Sequence, residues 1–153
     1  MRSISCCLLT AVLMATASPH AAPEAPTIDT AMVYGALGTS GKANGDVAQL
    51  SYILVPGRVT MEGHTVVPAL GYGSPINVQM MSASRAVATG DFAVVGEKVH
   101  GVLGARARHD IAGTAVHSHL IGERPTICCI HFWADGAPAD VLQGLRAAVD
   151  AAR

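Results

Sequence analysis

The segment from Thr126 to Trp133 constrains the fold of this chain more than any other. Ile127 and Trp133 lie in one phase of an extended chain, and Ile130 and Phe132 lie in the other, so a strand here is apolar on both faces. A strand that is apolar on both faces belongs inside a sheet that is covered on each side. The sequence therefore predicts a central, buried strand in a layered domain.

The segments around that strand predict an α+β domain. Glu97 to Arg108 changes to helical spacing, and Pro138 can open the last helix as its first residue. Strands are expected at Asp91–Val95 and Ile111–His119, on either side of the first of these helices. The resulting order of strand, helix, strand, strand, helix favours an antiparallel-rich sheet with the helices packed on one face.

The preceding part of the chain has a weaker pattern. Ile28 to Leu37 predicts a short helix that ends at Gly38, because glycine is the usual stop residue. Gly41 to Gly45 is expected to form a turn-rich loop. The remaining expected elements are an extended segment at Val47–Val59, a hairpin turn at Glu62-Gly63 and a strand at Ile76–Met81.

The amino terminus predicts export. Arg2 and the apolar run from Cys6 to Ala17, followed by small residues, are typical of a secretory signal peptide. We therefore expect a signal peptide at 1–22, a linker at 23–27 and a single domain at 28–153, in a periplasmic or secreted protein. The apolar run is too short for a comfortable membrane span, and its cysteines are misplaced for a lipid anchor. We expect no stable membrane span once the signal is removed.

Charge and cysteine content limit the partners. After the signal, nine Lys and Arg face eleven Asp and Glu, and the whole chain has only six aromatic residues. A chain without a basic stripe is a poor candidate for binding nucleic acid, so an unknown small molecule or envelope component is the expected partner. Cys128 and Cys129 are the only mature cysteines, and neighbours on a strand face opposite ways. No structural disulfide is expected from them.

Three histidines form the candidate functional site. His117 and His119 share one face of a strand, and His131 follows on the next strand. If the intervening turn is centred on Arg124, His117 lies opposite His131 and His119 lies opposite Cys129. Three converging imidazoles can bind a divalent transition metal, and we expect zinc ahead of copper(II). The ordinary alternative is a polar patch of hydrogen-bonded histidines.

Other polar residues could join the site, although each has a plainer explanation. Glu97 could be the catalytic residue, as a general base or as a fourth ligand, or an acid favoured by the helix dipole in a first turn. Asp91 is a candidate polar site residue or a turn-associated carboxylate after Gly90. Cys129 could supply a thiolate or be a small core residue.

Five segments of the chain together form a recognisable motif string. They are Thr89-Gly90-Asp91-Phe92, Glu97-Lys98-Val99, His117-Ser118-His119-Leu120, His131-Phe132-Trp133 and the stretch from Gly144 to Asp150. In these segments the chain resembles the LppY/LpqO family, exported bacterial proteins built on a domain of unknown function. The likeness covers about residues 28–152, and this chain is similar to a single-copy member without a lipidation signal. It departs from the family at His100-Gly101, Arg124-Pro125 and Cys129, where Asn-Pro, Pro-Arg and a large apolar residue are usual.

The resemblance implies that the three histidines and Glu97 act as one unit, without implying an activity. The first interpretation is therefore a metal-binding exported domain, in which metal-assisted hydrolysis with Glu97 as base is the simplest reaction if the protein is an enzyme. The alternative is a non-catalytic envelope module that uses the histidine face for a ligand or partner. A pH-responsive histidine cluster is a third interpretation.

Overall fold

A computed structural model describes residues 27–153, and it confirms the predicted α+β class. The expected signal peptide and most of the linker lie outside these residues. The helices are α1 (Thr30–Leu37), α2 (Gly96–Ala107) and α3 (Pro138–Ala152), with a 3₁₀ turn at Pro68–Leu70. The strands are β1 (Gly41–Asn44), β2 (Val47–Tyr52), β3 (Val59–Met61), β4 (His64–Val66), β5 (Ser74–Ser82), β6 (Arg85–Val95), β7 (Ala112–Ser118) and β8 (Ile127–Gly136).

Six of these strands form one antiparallel sheet in the order β1-β2-β5-β6-β8-β7. β8 lies between β6 and β7, in agreement with the interior position predicted from its apolar faces. The strand, helix, strand, strand, helix order of the C-terminal half is also confirmed.

The helices cover one face of the sheet and enclose the larger core. Phe92 and Phe132, from the adjacent central strands, lie with their ring centroids 5.1 Å apart. Leu145 of α3 and Val102 of α2 pack into the same cluster. Tyr52 ties α1 to this core, because its hydroxyl donates to the Leu37 carbonyl at 2.6 Å.

The opposite face of the sheet carries a smaller apolar cluster. Ala93 and Cys129 supply its sheet side, while Val59, Val66 and Tyr72 cover them from the β3–β4 hairpin and the loop that follows. The histidines extend from this second face. The fold thus separates the helical core from the candidate site.

The predicted helix near Leu37 is confirmed, whereas the expected loop at Gly41–Gly45 was wrong. Gly38 ends α1 in the left-handed conformation with φ of 69°, as glycine does most readily. Residues 41–44 form β1, which pairs with β2 across a tight turn at Gly45 and Asp46. All four β1 residues are exposed. The strand therefore lacks the alternating apolar residues by which a strand is recognised in a sequence.

The predicted register of β7 on β8 was wrong by two residues. His117 pairs with Cys129, and Ala115, rather than His117, pairs with His131. The cause is in the turn: the Glu123 carboxylate accepts the N–H groups of Leu120 and Ile127 and so centres the turn on residue 123. A shift of two residues preserves the face on which each side chain lies, so the predicted common face of His117 and His131 is retained.

Candidate functional site

His117 and His131 come into direct contact on the sheet face away from the helices. Their Nε2 atoms are 2.9 Å apart. The rings stack with centroids 5.0 Å apart and planes inclined by 25°. His117 is exposed and His131 is half-buried, so the contact lies at the surface.

The hydrogen bonds of His117 define how the pair shares its protons. The His117 Nδ1 lies 3.0 Å from the Ser118 carbonyl oxygen, which can only accept, so Nδ1 carries the proton. The Nε2 of the neutral ring is then a free acceptor, and His131 donates its Nε2 proton to it. The two rings are thus joined by one hydrogen bond between their Nε2 atoms.

His119 is turned away from this pair toward Glu123. Its Nδ1 lies 2.8 Å from the Glu123 carboxylate, which has no exposed side-chain surface. The His119 side chain is 10% exposed, and its ring meets Tyr72 edge-on with centroids 6.3 Å apart. The His119 Nε2 atom lies close to Gly71: a Cβ added to Gly71 would be only 2.6 Å from this nitrogen. His119 therefore joins the turn to the loop containing Gly71.

Asp91 and Cys129 are the strand neighbours of the histidine pair on the same face of the sheet. Cys129 is directly opposite His117, and Asp91 is directly opposite His131 in the β6–β8 pairing. Burial, assisted by the neighbouring Asp91 carboxylate, raises the pKa of the Cys129 thiol to about 12. This thiol is consequently protonated at neutral pH, and both cysteines are free.

Asp91 is 8% exposed. Its carboxylate interacts with the neighbouring Cys129 thiol, whereas its Oδ1 atom finds no hydrogen-bond partner among the described residues. Most buried carboxylate oxygens are hydrogen-bonded or neutralised, because desolvation otherwise costs free energy. The unpaired oxygen is therefore an unusual feature of this face.

Glu97 occupies a different environment. It is exposed in the first turn of α2, and the body of this helix packs against the sheet face opposite the histidines. Within residues 27–153, the described conformation gathers no group of three or more His, Cys, Asp or Glu side chains that could hold a metal ion. The structure therefore brings together His117 and His131, and it places His119 on Glu123.

Glu123 and the buried state of Asp91 were not anticipated from the sequence. Asp91 had a usable signal: it shares the strand phase of Ala93 and Val95, two apolar residues of one buried face. Glu123 had only its spacing of four residues from His119 in a turn, a weak signal because acidic residues are common in turns.

None of the helices in residues 27–153 is long and apolar enough to cross a membrane. Comparison with curated proteins and with solved structures finds no match to the chain. A family model described as Domain of Unknown Function (DUF1259) matches residues 31–151, which include every strand and all of the candidate site residues. The chain therefore belongs to this family of domains of unknown function.

Proposed function

We propose that this protein is an exported domain that binds a divalent transition-metal ion through His117 and His131. The observation that carries the proposal is the 2.9 Å separation of their Nε2 atoms. Two zinc–nitrogen bonds of about 2.0–2.1 Å place the nitrogens about 2.9 Å apart at a right angle and about 3.3 Å apart at a tetrahedral angle. Small rotations of the two rings can therefore admit an ion.

The hydrogen bonds of the two histidines support the same proposal. His117 already presents an unprotonated Nε2, because its Nδ1 proton is directed to the Ser118 carbonyl. Only the single proton donated by His131 has to leave or move to its Nδ1. An ion between the rings would replace this shared proton, and uptake would release or relocate one proton per site.

His119 is the third histidine of the proposal. Metal-bound histidines usually direct their other ring nitrogen to a carboxylate or carbonyl, and the contact between His119 and Glu123 has this form. Its Nε2 is covered by Gly71, so recruitment of His119 requires the loop containing Gly71 to move. His117 and His131 are therefore the primary ligands.

Zinc and copper(II) titration of the mature, untagged protein tests the proposal. We expect one ion per chain, measured by calorimetry and elemental analysis. His117→Ala and His131→Ala should each weaken binding by at least tenfold, because each removes half of the preformed pair.

His100→Ala is the matched control, since His100 is an exposed histidine on α2. It should bind the ion as the wild type does. A wild-type protein that takes up neither zinc nor copper(II) would refute the proposal, as would equal affinities in the His117, His131 and His100 variants.

The finer assignments belong to the same proposal. We propose membership of the LppY/LpqO group, export to the periplasm or exterior, and zinc ahead of copper as the resident ion. Hydrolysis with Glu97 as base stays a prediction about an exposed residue of α2. Its test is the loss of hydrolase activity in Glu97→Gln with unchanged metal content.

The second candidate is a non-catalytic envelope module that uses the histidine face. Leu120 and Ile121 are exposed next to His119 in the chain, and Ile121 is 92% exposed. Exposed apolar side chains around a polar centre are typical of interaction surfaces. Failure of metal uptake, together with partner capture lost in Ile121→Ser, would favour this candidate.

A further inference from the structure

The buried carboxylate of Asp91 has no role in the proposal so far. It lies on β6, an interior strand of the sheet, and is 8% exposed. Its Oδ1 has no hydrogen-bond partner in the described part of the chain. An ionised carboxylate in this position is costly unless a cation or a donor compensates it. The domain therefore places an unpaired carboxylate oxygen on the face of the sheet that carries the histidine pair.

The sheet register places Asp91 beside the metal-binding pair. Asp91 and His131 are direct partners across β6 and β8. Directly opposed residues share a face and have Cβ atoms about 4.5–5.5 Å apart. The His117 Nε2 atom lies 2.9 Å from the His131 Nε2 atom, so His131 neighbours both Asp91 and His117.

We propose that Asp91 is the carboxylate ligand that completes a two-histidine, one-carboxylate site with His117 and His131. This inference rests on the proposed function and adds a ligand to the same ion. Two neutral imidazoles and one carboxylate leave coordination positions for water or substrate, the arrangement found in non-haem iron(II) sites and in open zinc sites. Iron(II), zinc and cobalt(II) are therefore the expected ions.

Loading the site requires a movement of Asp91. In the described conformation of residues 27–153 these side chains are not gathered around one point. A change of the Asp91 rotamer toward His131 would bring the carboxylate to the ion and satisfy the unpaired oxygen. Glu97 is then not needed as a ligand.

A structural role for Asp91 makes a different prediction. If the carboxylate only supports the local packing, its replacement by the isosteric amide should change the stability of loaded and ion-free protein equally. If it is a ligand, the amide should affect chiefly the zinc-loaded protein, because it takes a carboxylate donor away from the ion. The same change should reduce the rise in melting temperature that zinc produces.

The experiment compares wild type, Asp91→Asn, His117→Ala and the control Asp46→Asn, which changes an exposed turn carboxylate. Zinc affinity is measured by chelator competition, and melting temperatures are measured with and without zinc. Cobalt(II) absorption spectra report the ligand set. We expect Asp91→Asn to weaken zinc binding at least tenfold and to change the cobalt spectrum, whereas Asp46→Asn should do neither. If Asp91→Asn fails to fold, Asp91→Ser replaces it.

The outcomes separate the two proposals. Zinc binding that is lost in His117→Ala but unchanged within twofold in Asp91→Asn would overturn the role of Asp91 and leave the histidine site intact. Wild-type protein that binds none of zinc, copper(II) and cobalt(II) would overturn both.

Discussion

The buried Glu123 carboxylate allows a sharp test of how the turn between β7 and β8 is held. Its Oε1 accepts the N–H groups of Leu120 and Ile127 at 3.1 and 3.2 Å, and its Oε2 accepts from His119 Nδ1 at 2.8 Å. Glu123→Ala removes both acceptor oxygens, and with them three hydrogen bonds, and leaves buried donors unpaired. Glu123→Gln keeps a carbonyl oxygen for the two backbone groups and places an amide nitrogen against His119.

The two substitutions should differ in magnitude. Removing one partner of a buried, hydrogen-bonded charge typically costs about 3–5 kcal/mol, so we expect Glu123→Ala to lower the free energy of unfolding by about 4 kcal/mol. Glu123→Gln makes all three bonds neutral, with the largest loss at the short contact with His119, and it forces His119 to accept at Nδ1. Because a bond to a charged group is worth about 1.5–3 kcal/mol and a neutral one about 1 kcal/mol, its expected cost is about 1–2 kcal/mol.

Urea denaturation measures both effects. With a slope of about 2 kcal/mol per molar, the midpoint should fall by about 2 M in Glu123→Ala and by about 0.5–1 M in Glu123→Gln. Nitrogen chemical shifts of His119 should also show the proton moving from Nδ1 to Nε2 in Glu123→Gln. Equal losses in the two variants, or a loss below about 1 kcal/mol in Glu123→Ala, would refute the reasoning.

Two further predictions concern the helical core. Gly101→Ala should stabilise the protein by about 0.5–1 kcal/mol in thermal melts, because a Cβ on residue 101 would meet no atom nearer than 3.6 Å. Gly144→Ala should instead destabilise the protein by about 1–3 kcal/mol, because its Cβ would lie 2.7 Å from the Cβ of His109. Opposite signs are the result to look for. Tyr52→Phe should cost about 0.5–1.5 kcal/mol through its lost bond to the Leu37 carbonyl. Burial raises the pKa of Tyr52 above 10.0. The stability that the protonated hydroxyl contributes is therefore present below pH 10 and is lost as the pH rises through the pKa of the folded protein. Denaturation at neutral and at alkaline pH should show the difference in unfolding free energy between wild type and Tyr52→Phe becoming smaller as the pH rises.

Much of the C-terminal half could be predicted from the sequence because side-chain periodicity determines it. The apolar faces of β8 predicted its interior position, and the assumed pairing across the hairpin predicted that His117 and His131 share a face. The shared face is correct although the predicted register of β7 on β8 was wrong, because a shift by an even number of residues leaves each side chain on the same face.

The rest depends on interactions that periodicity does not report. A single carboxylate, Glu123, fixes the centre of the turn and also holds His119. β1 pairs through its backbone while its side chains are exposed, so it has no hydrophobic pattern. Whether Asp91 lies in a turn or inside a sheet depends on the full extent of β6, which begins at Arg85.

The position of β7 has a consequence for local stability. This strand borders the sheet and pairs with β8 alone among the described strands, and all seven of its residues are exposed. Backbone amides on such a strand exchange with solvent through local openings that leave the rest of the domain folded. His117 lies on this strand, whereas His131 lies on its interior neighbour. An ion held by both side chains would link the border strand to the interior of the sheet, and its binding energy would slow amide exchange along β7 in particular.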